Sequence, residues 1–88
     1  MIQVKLFGNL RDYVSAAQVA AEGETVRGVL ANLCTQHSDL QQALFNNEGL
    51  MPHVRVMVNG RDIEMAEGLD TPLKPTDKLS IFPPIAGG

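Results

Sequence analysis

The sequence predicts an α+β domain, in which one mixed sheet of four to five strands packs its single apolar face against one main helix. Three observations predict it. Apolar and polar side chains alternate at both ends of the chain, in Met1-Ile2-Gln3-Val4-Lys5-Leu6-Phe7 and in Lys78-Leu79-Ser80-Ile81-Phe82. Between them the period changes to that of a helix. The alternating Val54-Arg55-Val56-Met57-Val58 then runs directly into Asn59-Gly60, the strongest short hairpin signal in the chain.

The first alternating run puts Ile2, Val4 and Leu6 on one strand face, and Gly8-Asn9 ends it. Residues 10–15 read as a turn or half-helix and residues 16–21 as a second strand, bounded by Glu22-Gly23-Glu24. From Thr25, the residues Val26, Val29, Leu30, Leu33, Cys34 and His37 recur at the spacing that lines one side of a helix, with Thr25 or Glu24 at its N-terminus. Leu40, Ala43 and Leu44 belong to a short helical turn after Ser38-Asp39, and Asn46-Asn47-Glu48-Gly49 reads as loop. After the hairpin turn, residues 61–65 form the returning strand and residues 68–75 a loop anchored by Leu69 and Leu73. A hairpin, a crossing helix and a second hairpin most economically make the first and last strands central neighbours. Pro83-Pro84 cannot donate to a ladder, so a folded domain is expected over residues 1–82 and an extended tail over residues 83–88.

Composition narrows the function classes. With 44% hydrophobic and 19% charged residues in 88, the chain lies in the globular range and has room for one small core. Its net charge of −3, with seven Lys and Arg scattered along the chain, leaves no electrostatic footprint for nucleic acid or an anionic membrane. Protein partners are the expectation. No run approaches the roughly 20 apolar residues of a membrane span, and Met1 leads into a strand pattern rather than a secretory leader. The single cysteine, Cys34, offers neither an internal disulfide nor the paired spacing of zinc and iron–sulfur sites, which suits a reducing cytoplasm. There is no glycine-rich phosphate loop, metal-ligand cluster or catalytic triad pattern. The chain therefore reads as a substrate or subunit, not an enzyme, with no metal and no bound cofactor.

The chemistry points to the tail, Pro83-Pro84-Ile85-Ala86-Gly87-Gly88. Glycine has no Cβ, so Gly87 can thread a narrow channel and the Gly88 carboxylate stays open to attack. A carboxylate is a poor electrophile, so acyl transfer from Gly88 requires prior activation, most simply as an adenylate formed from ATP by another protein. Phe7 and Phe82 sit out of phase with the core positions Leu6 and Ile81, which places two aromatics on the outer sheet face near the tail. Such a patch is a candidate docking surface. Cys34 on the apolar helix stripe reads as a buried small hydrophobe, and His37 and His53 lack partners at metal-ligand spacing.

Nearly the whole chain resembles the MoaD/ThiS-like sulfur carriers, the branch of ubiquitin-like β-grasp proteins that includes the molybdopterin-synthase small subunit. The likeness rests on residues 1–7 followed by Leu10-Arg11-Asp12, on Thr25-Val26-Arg27-Gly28-Val29-Leu30, and above all on the last strand and tail, residues 78–88. The resemblance implies a β-grasp fold and an E1-like adenylyltransferase that activates Gly88 with ATP. It further implies a sulfurtransferase or other sulfur donor that makes a thiocarboxylate there, and an acceptor enzyme such as the molybdopterin-synthase large subunit. It also implies hydrophobic contacts from Phe7, Ile63 and Phe82, with Pro83, Pro84, Ile85 and Ala86 entering the partner. Residues 58–73 are longer than in compact molybdopterin-synthase subunits and look more like stand-alone carriers serving cysteine synthesis or tRNA thiolation, and like archaeal modifiers. Two alternatives stay open: a ubiquitin-like modifier joined to lysines through Gly88, and a non-covalent subunit whose tail only inserts.

Overall fold

Strand β1 (Ile2–Leu6) buries every second side chain, Ile2, Val4 and Leu6, as its alternation requires. The computed structural model describes residues 1–83 of the chain; the expectations for Pro84, Ile85, Ala86, Gly87 and Gly88 lie outside the described residues. After a 3-10 helix (Gly8–Tyr13), β2 (Gln18–Ala21) returns antiparallel to β1, pairing Val4 with Val19. The sequence reading started this strand two residues earlier, at Ala16, with the same end. Ser15, at φ 58, turns the chain in the left-handed region just before it, and Ala17 joins only through its carbonyl, which accepts from Leu6 N–H at 2.8 Å.

Helix α1 (Val26–Gln36) opens where expected. The Thr25 hydroxyl accepts from Gly28 N–H at 3.1 Å, satisfying one of the free N–H groups of the first turn. Its stripe of Val26, Val29, Leu30, Leu33 and Cys34 is buried against the sheet, with His37 as C-cap. Helix α2 (Asp39–Leu44) adds Leu40 and Leu44, and Leu10 of the first 3-10 helix joins the same cluster. The predicted loop after α2 is a small hairpin of its own, β3 (Phe45–Asn46) with β4 (Gly49–Leu50). The Asn46 side chain accepts from Glu48 N–H at 2.8 Å and tightens its turn.

β5 (Arg55–Val58) turns through Asn59-Gly60, both at positive φ (52° and 85°), as a tight hairpin of primed type requires. The return is shorter than predicted: β6 is only Arg61–Asp62, and Ile63–Met65 is a 3-10 turn. The Asp62 side chain accepts from Glu64 N–H at 2.9 Å, and this local bond replaces further ladder pairing. A further 3-10 turn, Gly68–Asp70, leads to β7 (Lys78–Phe82). β7 runs parallel to β1 and antiparallel to β5, giving the sheet order β2-β1-β7-β5-β6. The first and last strands are thus central neighbours, as the topology argument expected, and β7 delivers the end of the chain from the middle of the sheet.

Candidate functional site

Among the described residues, the sheet has one face on α1 and one face open, and alternation assigns the open one. Val4, Leu6, Val56, Leu79 and Ile81 point to the core, so Lys5, Arg55, Met57, Ser80 and Phe82 point out. Phe7 follows β1 and stays in register, its N–H donating to the Ile81 carbonyl at 3.1 Å. The Phe7 and Phe82 rings stack, with centroids 4.3 Å apart and planes 11° from parallel. The Lys5 ammonium stands 5.4 Å from the centre of the Phe7 ring, a cation–π contact at the patch edge.

Phe7, Gly8, His53, Arg55, Met57, Phe82 and Pro83 line one open trough of about 830 Å³ on this face. The sequence-derived pair Phe7 and Phe82 forms its floor, and Pro83, the last described residue, forms part of its wall. Pro83 is therefore continuous with the apolar patch. Gly8 is what admits Pro83: it holds φ 59, and a Cβ there would fall 2.8 Å from Pro83 Cγ.

Ile63 does not belong to this surface. The resemblance implied a partner contact there, but the 3-10 turn that replaces the end of the strand points Ile63 into the core, where it is 4% exposed. At that exposure it offers almost no surface to a partner and lines shallow pockets away from Phe7 and Phe82. In its place stand Met57, Arg55 and His53, which the sequence reading did not select. The first two were legible as positions out of phase with Val56. His53 takes part through a left-handed backbone, φ 71, that sequence alone does not reveal.

Arg55 rims the trough and is fixed by two carboxylates, Asp62 at 2.6 Å and Glu64 at 2.8 Å. Asp62 is the more enclosed partner, its side chain 12% exposed against 50% for Arg55. Cys34 lies far from this chemistry in the sense that matters: it is buried in the α1 stripe, and burial pushes its thiol pKa up, away from the reactive thiolate. Among the described residues, no helix is long and apolar enough to cross a membrane.

Comparison with known proteins extends the picture past residue 83. The profile of the ThiS family matches residues 4–88. Small archaeal modifier protein 3 of Haloferax volcanii is 31% identical over 90 residues, covering 99% of this chain and 98% of that protein. Sulfur carrier protein CysO of Mycobacterium tuberculosis is 30% identical over 73 residues, covering 80% and 78%. Among solved structures, small archaeal modifier protein 1 from Methanosarcina acetivorans superposes with a TM-score of 0.92 at 33% identity, over 99% of this chain and 95% of that one. The architecture is the ubiquitin-like β-grasp.

Proposed function

Because this chain belongs to the ThiS family, whose likeness here joins sulfur carriers to ubiquitin-like modifiers, we propose that it carries sulfur on Gly88 as a thiocarboxylate. One observation carries this reading. The family match does not stop at the end of the folded body but runs through Gly87-Gly88, so the likeness includes the segment on which acyl chemistry would take place. An E1-like adenylyltransferase spends ATP to join the Gly88 carboxylate to AMP, releasing pyrophosphate. Sulfide delivered by a sulfur donor then attacks the acyl carbon, breaks its bond to the AMP phosphate oxygen and leaves a thiocarboxylate, with AMP and a proton released. The chain is the substrate of these steps and the partner supplies the catalysis.

The trough supplies the docking. Phe7, Phe82 and Met57 offer an apolar anchor next to the tail, so a partner that grips the sheet face receives Pro83, Pro84, Ile85 and Ala86 at a fixed entry point, with Gly87 passing the narrowest part. The acceptor is an enzyme that takes the sulfur into a small-molecule or cofactor pathway, molybdopterin synthesis being the first to test and thiamine, cysteine or tRNA thiolation the others. The buried thiol and the family's carrier chemistry fit the cytoplasm.

Near-complete coverage of a small archaeal modifier protein favours one second reading, in which activated Gly88 is joined to target lysines. Mass spectrometry of the protein from its own cells separates the two, with alkylation to tag a thiocarboxylate. Sulfur located on Gly88 supports the carrier. An unmodified carboxylate together with lysine conjugates bearing the tail supports the modifier. Neither product, even after supply of the activating enzyme and ATP, overturns acyl chemistry at Gly88 and leaves a non-covalent subunit.

A further inference from the structure

Among the described residues, β2 is a free edge of the sheet, and the groups on its outer side can be assigned. Leu6 N–H bonds the Ala17 carbonyl, so in the alternating antiparallel pattern Ala17, Val19 and Ala21 face β1 while Gln18, Ala20 and Glu22 turn their backbone groups outward. Two of those outward groups are met by side chains of α1. Glu22 N–H donates to Asn32 Oδ1 at 3.0 Å, and the Ala20 carbonyl accepts from Gln36 Nε2 at 3.5 Å. The two amides are themselves joined, Gln36 Nε2 to Asn32 Oδ1 at 2.7 Å, one helical turn apart.

This strand otherwise lacks the usual protections of an edge. Residues 13–21 contain no charged residue and no proline. At the opposite edge, β6 has two residues and ends in a 3-10 turn, so among the described residues β2 is the longer open edge. Two copies of an uncharged strand can pair antiparallel about a two-fold axis with no like charges across the seam, although each chain carries a net charge of −3.

We propose that the Asn32–Gln36 amide pair is a guard on the β2 edge, which keeps that edge from pairing with the β2 edge of a second copy of this chain. The guard occupies the Ala20 carbonyl and the Glu22 N–H that an incoming strand would use, leaving too few outward groups for stable pairing. Its removal exposes a seam that joins two sheets into one.

Sedimentation of purified full-length protein tests this. The unmodified chain is expected to be a monomer. The Asn32→Ala/Gln36→Ala variant is expected to self-associate at least tenfold more tightly, and adding Ala20→Lys, which sets like charges across the seam, is expected to return it to monomer. Gln36→Ala alone alters one exposed side chain and should shift association in the same direction, so the idea stays testable if the double variant folds poorly. A double variant that remains monomeric with unchanged far-UV circular dichroism overturns the proposal, as does an unmodified chain that is already dimeric. A dimer that survives Ala20→Lys but is lost on Phe82→Ala would put the seam on the sheet face and overturn it as well.

Discussion

Gly8 and Pro83 are close neighbours: a single methyl group on Gly8 would stand 2.8 Å from Pro83 Cγ, closer than van der Waals contact allows. The turn after the first strand thereby seats Pro83, the last described residue.

Gly8→Ala should act twice. The left-handed φ of 59° costs an L-residue about 1–2 kcal/mol, which lowers Tm by roughly 4–8 °C per kcal/mol in a domain of this size. The displaced Pro83 should also slow activation of Gly88. Gly8→Asn tolerates the backbone better but keeps the clash, so it should regain thermal stability without regaining the adenylation rate. Recovery of both in Gly8→Asn would show that the seat of Pro83 is irrelevant.

Phe82→Ala removes one half of the stack with Phe7 and the floor of the trough. Ring pairs of this kind are worth about 0.5–1.5 kcal/mol beyond the area they bury, so a modest loss of stability is expected. Affinity for the activating enzyme should fall at least about tenfold, since apolar anchors carry much of an interface's energy. Titration calorimetry with an unchanged dissociation constant would remove the trough from the docking surface.

Asp77 ties the hairpin tip to the last strand. Its carboxylate accepts from Lys74 N–H and from the Asn59 side chain, both at 2.8 Å, and Asn59 Oδ1 accepts from Lys78 N–H at 2.9 Å. The Lys74 N–H first, and Asn59 second, hold its pKa below the ordinary 3.8. A carboxyl group depressed on folding contributes stability that is present above its unfolded value and lost as pH falls through the folded one. Asp77→Ala should therefore lower the urea midpoint at neutral pH, and its difference from the parent should shrink between about pH 5 and pH 2. A constant difference across that range would rule out the charged carboxylate as its source.

Cys34 is 7% exposed, with its thiol pKa raised by burial. Native protein should react with a thiol reagent at pH 8 at least about tenfold more slowly than unfolded chain, and the rate should follow denaturant-induced opening. Fast native-state labelling would contradict the packing of α1.

The elements legible in the sequence are those whose periodicity is enforced by burial on one side. Ile2, Val4 and Leu6, the α1 stripe, and Leu79 with Ile81 each obey a single period and lie in the core as read. What escaped was decided by short-range polar bonds that periodicity cannot register. Asp62 captures Glu64 N–H and curls the returning strand, which turns Ile63 inward. Asn46 does the same for Glu48 and makes a hairpin from an apparent loop. Asn32 and Gln36, outside the apolar stripe of α1, answer backbone groups ten and sixteen residues away, contacts that no periodicity marks. Of the site, the aromatic pair was visible as two residues out of phase, whereas the trough around it needed the actual order of strands.

β7 is hydrogen-bonded along both sides, parallel to β1 and antiparallel to β5, and the tail continues from its end. Tension applied to Pro83 along the strand axis loads those bonds in shear, all together, instead of peeling them one at a time from an edge. A pull on Pro83 therefore meets the resistance of the whole ladder at once, and β7 is the strand of this sheet best placed to bear it.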